Sequence, residues 1–287
     1  MAGNTKKIII TADDYGMSRA VNDAIDQCIE LQNISSTNIM VNMPFFREAQ
    51  KHTSNKNVSL GLHWTLSCGK PVLDANEIPS LVDENGVFFS YPVFRKKYRE
   101  HEIKDADIEK ELAAQYKLYS ENIGKPDYWN THQNVHVDFG VIDIFRRKAQ
   151  EYSIKRMRNH LRIYVPSQNH KTTRSLKWRI FEPFKVILLK SWINKFRKNG
   201  TGLPDGIIIF MDSADAEDLN YAFSNIQWND KQVGELVIHP ATECDSPYFG
   251  SMSESRIIEH VLYTQNNVRE LLAKNNIDLV TFDTLQK

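Results

Sequence analysis

The chain has 287 residues, 41% of them hydrophobic, enough for a large core in one long domain or two short ones. Lysine plus arginine equals aspartate plus glutamate at 36 each, so no net charge directs the protein to nucleic acid. Its cysteines, Cys28, Cys68 and Cys244, are odd in number and far apart, which argues against a disulfide framework or a CxxC metal knuckle and for a reducing compartment.

"MAGNTKK" leads straight into an apolar run, so no secretory signal is expected. No run approaches the roughly 18 to 20 apolar residues of a membrane span, and a soluble cytoplasmic protein is the expectation. The β-branched stretch "KKIII" predicts a buried strand over Lys7–Thr11. It runs into "TADDYG", where Asp13 and Asp14 stand side by side. Adjacent like charges in a partly buried place each raise the other's pKa, so something must compensate them. Ser18 then reads as a helix N-cap, with Val21, Ile25, Cys28 and Ile29 on one face behind it.

Further strands are expected at Thr37–Asn42 and Val58–His63. Residues 67–100 interrupt the pattern with a long insertion rich in turn formers. A helix follows over Ile108–Glu121, then strands at Tyr128–Thr131 and Ile154–Arg158. Residues 170–200 form a second insertion, basic and aromatic, with Glu182 its one acid. Pro183 suits the first turn of a helix running to about Lys198. Two readings of this segment stand. It is a barrel helix, or it is a flap whose Trp178, Phe181, Phe184, Trp192 and Phe196 and whose lysines touch an anionic membrane surface or a lipid-linked sugar. Strands at Gly206–Phe210 and Glu235–Ile238, a helix over Glu254–Ala273 and a strand at Asp278–Phe282 complete the chain. Strands alternating with helices imply a parallel sheet. Seven or eight such units favour a distorted (β/α) TIM-like barrel, one domain over residues 1–287 with insertions at about 67–100 and 170–200.

Barrel active sites lie at the C-terminal ends of the strands. Here those ends carry Asp13–Asp14, His63, His132, Arg158 and His239. A single histidine at a strand end is ordinarily a hydrogen-bonded structural group, and a lone Asp-Asp pair is a turn or a cap. Five polar stops on one rim form a constellation. One carboxylate with two imidazoles is a familiar ligand set for a divalent cation with open positions. Were Asp14 to bind the cation, its charge would be compensated, and Asp13 would stand beside it as a general base toward water.

The motifs "TADDYGMS" (11–18), "STNIMVN" (36–42), "GLHWTLSCGKP" (61–71), "THQNVHV" (131–137) and "HPA" (239–241) resemble, in order and spacing, the YdjC-like carbohydrate deacetylases, which include the chitooligosaccharide deacetylases. The resemblance spans nearly the whole chain. It implies a distorted (β/α) barrel and metal-dependent hydrolysis of an N-acetyl group on a sugar. By motif, Asp14, His63 and His132 would hold the metal, magnesium by family habit, although this ligand set also suits zinc or another transition metal. Asp13 would be the base, His239 the acid with a pKa near neutrality, and Arg158 would orient Asp13. His136, four residues after His132, would share its face on a helix and either touch substrate or support the ligand. Trp64, bulkier than is usual after the ligand His63, would border the sugar. Asn134 in place of a frequent histidine and "ATECDSPYFG" after "HP" also bear on the sugar pocket. The resemblance allows a homodimer. The competing readings are a catalytically silent carbohydrate-binding protein of the same fold and a hydrolase of another ester or amide bond.

Overall fold

Strand β1 (Lys6–Tyr15) is buried without a break from Ile8 to Tyr15, as befits a strand covered on both faces. It belongs to a computed structural model that describes residues 5–138, 140–166, 176–209, 216–249 and 252–285, with backbone alone at 176–185 and 216. One edge of β1 pairs with β7 (Val233–Ile238) over Lys7–Ala12. The opposite edge takes β8 (Ile277–Leu279) at Lys6–Ile8 and β2 (Ser36–Ile39) from Thr11 onward. From β2 the sheet continues through β3 (Ser59–Trp64) to β4 (Tyr128–Thr131). From β7 it continues through β6 (Gly206–Ile209) to β5 (Arg162–Tyr164). All of these ladders are parallel, in the order β4-β3-β2-β1-β7-β6-β5. The expected distorted (β/α) barrel is thus a curled parallel sheet with helices around it.

The fifth strand differs from expectation. Residues 154–158 form no ladder. They close the curl with single bridges, Met157 to Trp129 on β4 and Arg156 to Gly202 before β6. Pro204 has no N–H to extend that pairing, and Asn159 spends its side chain on Pro204 O (2.8 Å) and Leu161 N (2.9 Å). The ladder resumes only at Arg162. The bridge still matters, because it fixes Arg158 at the inner rim.

The helices are α1 (Arg19–Glu30), α2 (Tyr91–Arg99), α3 (Asp105–Asn122), α4 (Val141–Glu151), α5 (Leu176–Lys198), α6 (Ala216–Ser224), α7 (Ser253–Gln265) and α8 (Val268–Lys274). Ser18 caps α1 as expected, its Oγ accepting from Val21 N at 3.2 Å. The helix expected over Glu254–Ala273 is two. Asn266 leaves the helical region (φ −118°, ψ 146°), and the Asn267 side chain accepts from Glu270 N to start α8. α5 begins at Leu176, so Pro183 lies inside it rather than in its first turn. The side chains of Trp178, Phe181, Phe184 and Lys185 lie outside the described residues. Beyond them, Leu189, Ile193 and Phe196 are buried at helical spacing while Lys190, Lys195 and Lys198 face out. The first insertion is packed down. Glu111 of α3 accepts from Val72 N (2.9 Å) and Leu73 N (3.1 Å), and Ile78, Leu81 and Phe88 join the hydrophobic cluster that contains Ile8.

Candidate active site

Two adjacent carboxylates reach the same site because β1 carries a bulge. Ala12 pairs with Thr37 and Tyr15 with Ile39, so three steps along β1 match two along β2. The extra residue breaks the strict alternation of a strand. Asp14 takes φ +75°, a left-handed conformation that aspartate tolerates better than most residues. Asn38 on β2 secures both sides of the bulge. Its Oδ1 accepts from Asp14 N (3.3 Å), and its Nδ2 donates to Asp13 Oδ1 (2.5 Å). Gly16, at φ +101°, completes the turn, and a Cβ there would sit 2.9 Å from the Phe46 backbone.

Asp14 Oδ1 faces two imidazoles, His132 Nδ1 at 2.9 Å and His63 Nε2 at 3.3 Å. Its Oδ2 accepts from Arg256 Nη2 at 2.5 Å. One ligand atom from each of Asp14, His63 and His132 lies within 4.8 Å of the others, and all three residues are buried. Burial pushes the Asp14 carboxyl up, but His132 and Arg256 outweigh it and hold the group well below the usual range. Burial likewise pushes His132 down, and Asp14 overrides it, raising the imidazole to about 9. The carboxylate therefore demands a positive partner on its Oδ1 side, a demand that a divalent cation meets as well as a proton does. The donor set of one carboxylate and two imidazoles fits such a cation. The Asn130 amide, 2.5 Å from His63 Nδ1, sets the tautomer of that ring. With its oxygen toward His63, Nδ1–H donates and Nε2 keeps its lone pair. With the amide turned, the oxygen accepts from Asn38 Nδ2 (2.8 Å) and Arg158, and the proton moves to Nε2. A cation held through Nε2 would need the first arrangement, in which the Asn130 amide nitrogen faces Asn38 Nδ2 and Arg158.

Asp13 has different company. Arg158 grips it with a two-pronged pair, Nη1 to Oδ2 at 2.8 Å and Nη2 to Oδ1 at 2.7 Å, while Arg158 Nε donates to Glu235 Oε1 at 3.0 Å. Burial pushes Asp13 up, and Arg158 reverses this, lowering it to about 2. His239 Nε2 stands 3.8 Å from Asp13 Oδ2. Burial lowers the His239 imidazole to about 4, so at neutral pH it is uncharged, not the partly protonated group its ordinary pKa would give. Helix α7 holds this side in place. Glu259 accepts from His239 N (2.5 Å), and the Arg256 carbonyl accepts from Ala241 N (3.1 Å).

Asp13, Asp14, His63, His132, Arg158 and His239 thus converge as the strand ends foretold. Two expected members stand apart. Trp64 is wholly buried on the outer side of β3, since the pleat that turns His63 inward turns its neighbour outward. Its Nε1 donates to Leu112 O (3.1 Å), and its ring packs on Trp129 and Phe145. His136 does not share a helical face with His132, because Gln133 and Asn134 take left-handed conformations between them. Its ring is fully buried, with Nδ1 on Thr131 Oγ1 (2.6 Å) and Nε2 on His160 Nε2 (2.9 Å). It supports the loop that carries His132. Sequence reasoning missed Arg256, Glu235 and Glu259, which carry no strand-end signal, and Asn38 and Asn130, which lie within the strands that were recognised.

A carbohydrate deacetylase of Thermoanaerobacter pseudethanolicus is 25% identical over 288 residues, which cover 98% of this chain and 100% of that one. One of Halalkalibacterium halodurans is 31% identical over 149 residues, which cover 52% of this chain and 62% of that one. Among solved structures, a protein of Enterococcus faecalis V583 named only provisionally as a cellobiose-phosphate cleavage protein matches with a TM-score of 0.76 at 23% identity, over 99% of this chain and 100% of that one, which speaks to the fold alone. The family model described as YdjC-like protein matches residues 7–274, and the chain belongs to the YdjC-like family.

Proposed function

We propose that this protein is a metal-dependent hydrolase that removes an N-acetyl group from an amino sugar in an oligosaccharide or glycoconjugate. The observation that carries this reading is the Asp14–His63–His132 triad, with the Arg158-held Asp13 and His239 directly beside it. A bound divalent cation would lower the pKa of water and polarise the acetyl carbonyl. The remaining work falls to the chain. Asp13 takes a proton from water as the oxygen bonds to the acetyl carbon. His239 Nε2 lies 3.8 Å from Asp13 Oδ2 and takes that proton on. His239 then delivers the proton to the amine as the C–N bond breaks and its electron pair moves to nitrogen, leaving acetic acid and a free amino sugar; the acid then gives its remaining water proton to the amine and leaves as acetate. Protons balance without an outside donor.

We take the resident metal to be magnesium by family resemblance, with zinc the alternative that the two imidazoles favour. Elemental analysis of protein purified without added metal decides between them. A cleft of about 680 Å³ between α5 and strands β5–β6, bordered by Gln133 of the loop after His132 and by Tyr164, Leu189, Lys190 and Ile209, offers room for the rest of a substrate. Ile187 and Leu188 of α5 are 63% and 46% exposed beside Lys190, which favours contact with an anionic membrane surface or a lipid-linked sugar. Co-sedimentation with anionic vesicles at low salt tests that contact. None of the described helices is long and apolar enough to cross a membrane. Three unpaired cysteines support a cytoplasmic setting, and light scattering tests the homodimer that the family resemblance allows. The activity itself is tested by acetate release from N-acetylated sugars of different length and anchoring, with and without a chelator. No release from any of them favours the silent binding protein.

A further inference from the structure

Glu235 is fully buried in β7, and the reaction above makes no use of it. The interior of a (β/α) barrel is ordinarily filled by branched aliphatic side chains. An aliphatic residue would suit this place in "VGELVI". Instead a carboxylate accepts from Arg158 Nε (3.0 Å) and from Thr11 Oγ1 (2.9 Å), while its Oε2 has no partner among the described residues. One guanidinium therefore serves two buried carboxylates, Asp13 and Glu235. A lone buried arginine could swing about its Cδ–Nε bond. With Nε–H anchored on Glu235, the guanidinium plane is set, and both Nη atoms meet the two oxygens of Asp13 squarely.

We infer that Glu235 is a positioning residue of the hydrolytic site, which fixes the orientation of the Asp13 carboxylate through Arg158. The inference rests on the proposed hydrolysis. Its content is the direction of the chain of contacts: Thr11 holds Glu235, Glu235 holds Arg158, and Arg158 holds Asp13. A buried acid kept only for folding would change stability without acting through Arg158. An acid kept only for its charge would tolerate Asp and not Gln. A positioning residue does the reverse, since Gln keeps an acceptor in place for Nε–H while Asp, one methylene shorter, withdraws it.

The test compares Glu235→Gln and Glu235→Asp in wild-type and Arg158→Lys backgrounds. Acetate release, metal content and the exchange-protected Arg158 Nε–H resonance in ¹⁵N-arginine-labelled protein are measured on each. In the wild-type background, Glu235→Asp should lower kcat by about ten- to a hundredfold with KM and metal content nearly unchanged, and Glu235→Gln should recover most of that loss. The Nε–H resonance, assigned by its absence in Arg158→Lys, should persist with Gln and vanish with Asp. In the Arg158→Lys background, Glu235→Asp should add less than about a threefold loss, because the contact it breaks is already gone. Equal costs of Glu235→Asp in both backgrounds, or a more active Asp than Gln variant, would overturn the inference. So would a kcat that neither variant changes. Should the wild-type enzyme release no acetate, the proposed function fails, and the resonances alone then decide whether Glu235 orients Arg158.

Discussion

Asp13 and Asp14 are neighbours in the chain, equally buried, and built for different work. Asp14 shares one oxygen between two imidazoles and gives the other to Arg256, the surroundings that the proposed reaction asks of a metal ligand. Asp13 meets a two-pronged guanidinium and an amide and faces an uncharged histidine, the surroundings that the proposed reaction asks of a group receiving a proton and passing it on. One bulge residue separates the two roles by sending the side chains to different neighbours. Identity of residue and depth of burial therefore decide little here. In the proposed reaction, the partner set decides which acid holds and which acid transfers.

Asp14→Asn should break the comparison most severely. It removes the charge that both imidazoles answer to, so metal content should fall and acetate release should drop to background, by more than about ten-thousandfold. Full metal content in this variant would refute the ligand assignment. His239→Ala acts only on the other side. Metal content should stay full while amide hydrolysis slows by about a hundredfold to a thousandfold. An acetyl ester with a good leaving group should suffer less, since its departure needs little protonation. Equal losses on both substrates would deny His239 the acid role.

The smallest effect separates the two acids by pH. His132 is raised from 6.5 to about 9 by Asp14, so the pair stabilises the metal-free fold fully below pH 6.5 and loses that contribution as pH rises through about 9. Metal-free protein should therefore lose roughly 2–4 kcal/mol of stability over that window. Metal-loaded protein should lose much less, because the cation takes the proton's place. Asp13, lowered to about 2, contributes no change there. Thermal unfolding between pH 6 and 10, with and without chelator, would show parallel curves if Asp14 and His132 were not the cation's ligands.

Much of this was legible in the sequence because buried strands announce themselves. A run such as "KKIII" stops at the rim, and the residue that stops it lies in the site. Asp13, Asp14, His63, His132 and His239 were all singled out in this way, and the structure brings them together. Arg158 was found for a weaker reason, since its strand proved to be a pair of isolated bridges. Side chains at a strand end were ambiguous by one position, as Trp64 shows, because the pleat alone decides which neighbour turns inward. The helical face expected to be shared by His132 and His136 is absent, since spacing cannot tell the left-handed pair at Gln133 and Asn134 from one turn of helix, while the supporting role offered for His136 agrees with its place beneath the loop. Arg256 was out of reach. It touches Asp14 from 242 residues away, and no local pattern records which helix residue will point into a barrel mouth. Glu235 was in view as a strand residue, but a carboxylate inside a barrel gains its meaning only from Arg158, which comes from a different strand end.

The division of labour between the two acids is tested most directly by acetate release and elemental analysis on the same samples of wild-type and Asp13→Asn protein. Asn is nearly isosteric and cannot take the proton. The account predicts wild-type metal content with kcat lowered by about a hundredfold to ten-thousandfold. A variant that lost metal in proportion to activity, or that turned over at the wild-type rate, would contradict it.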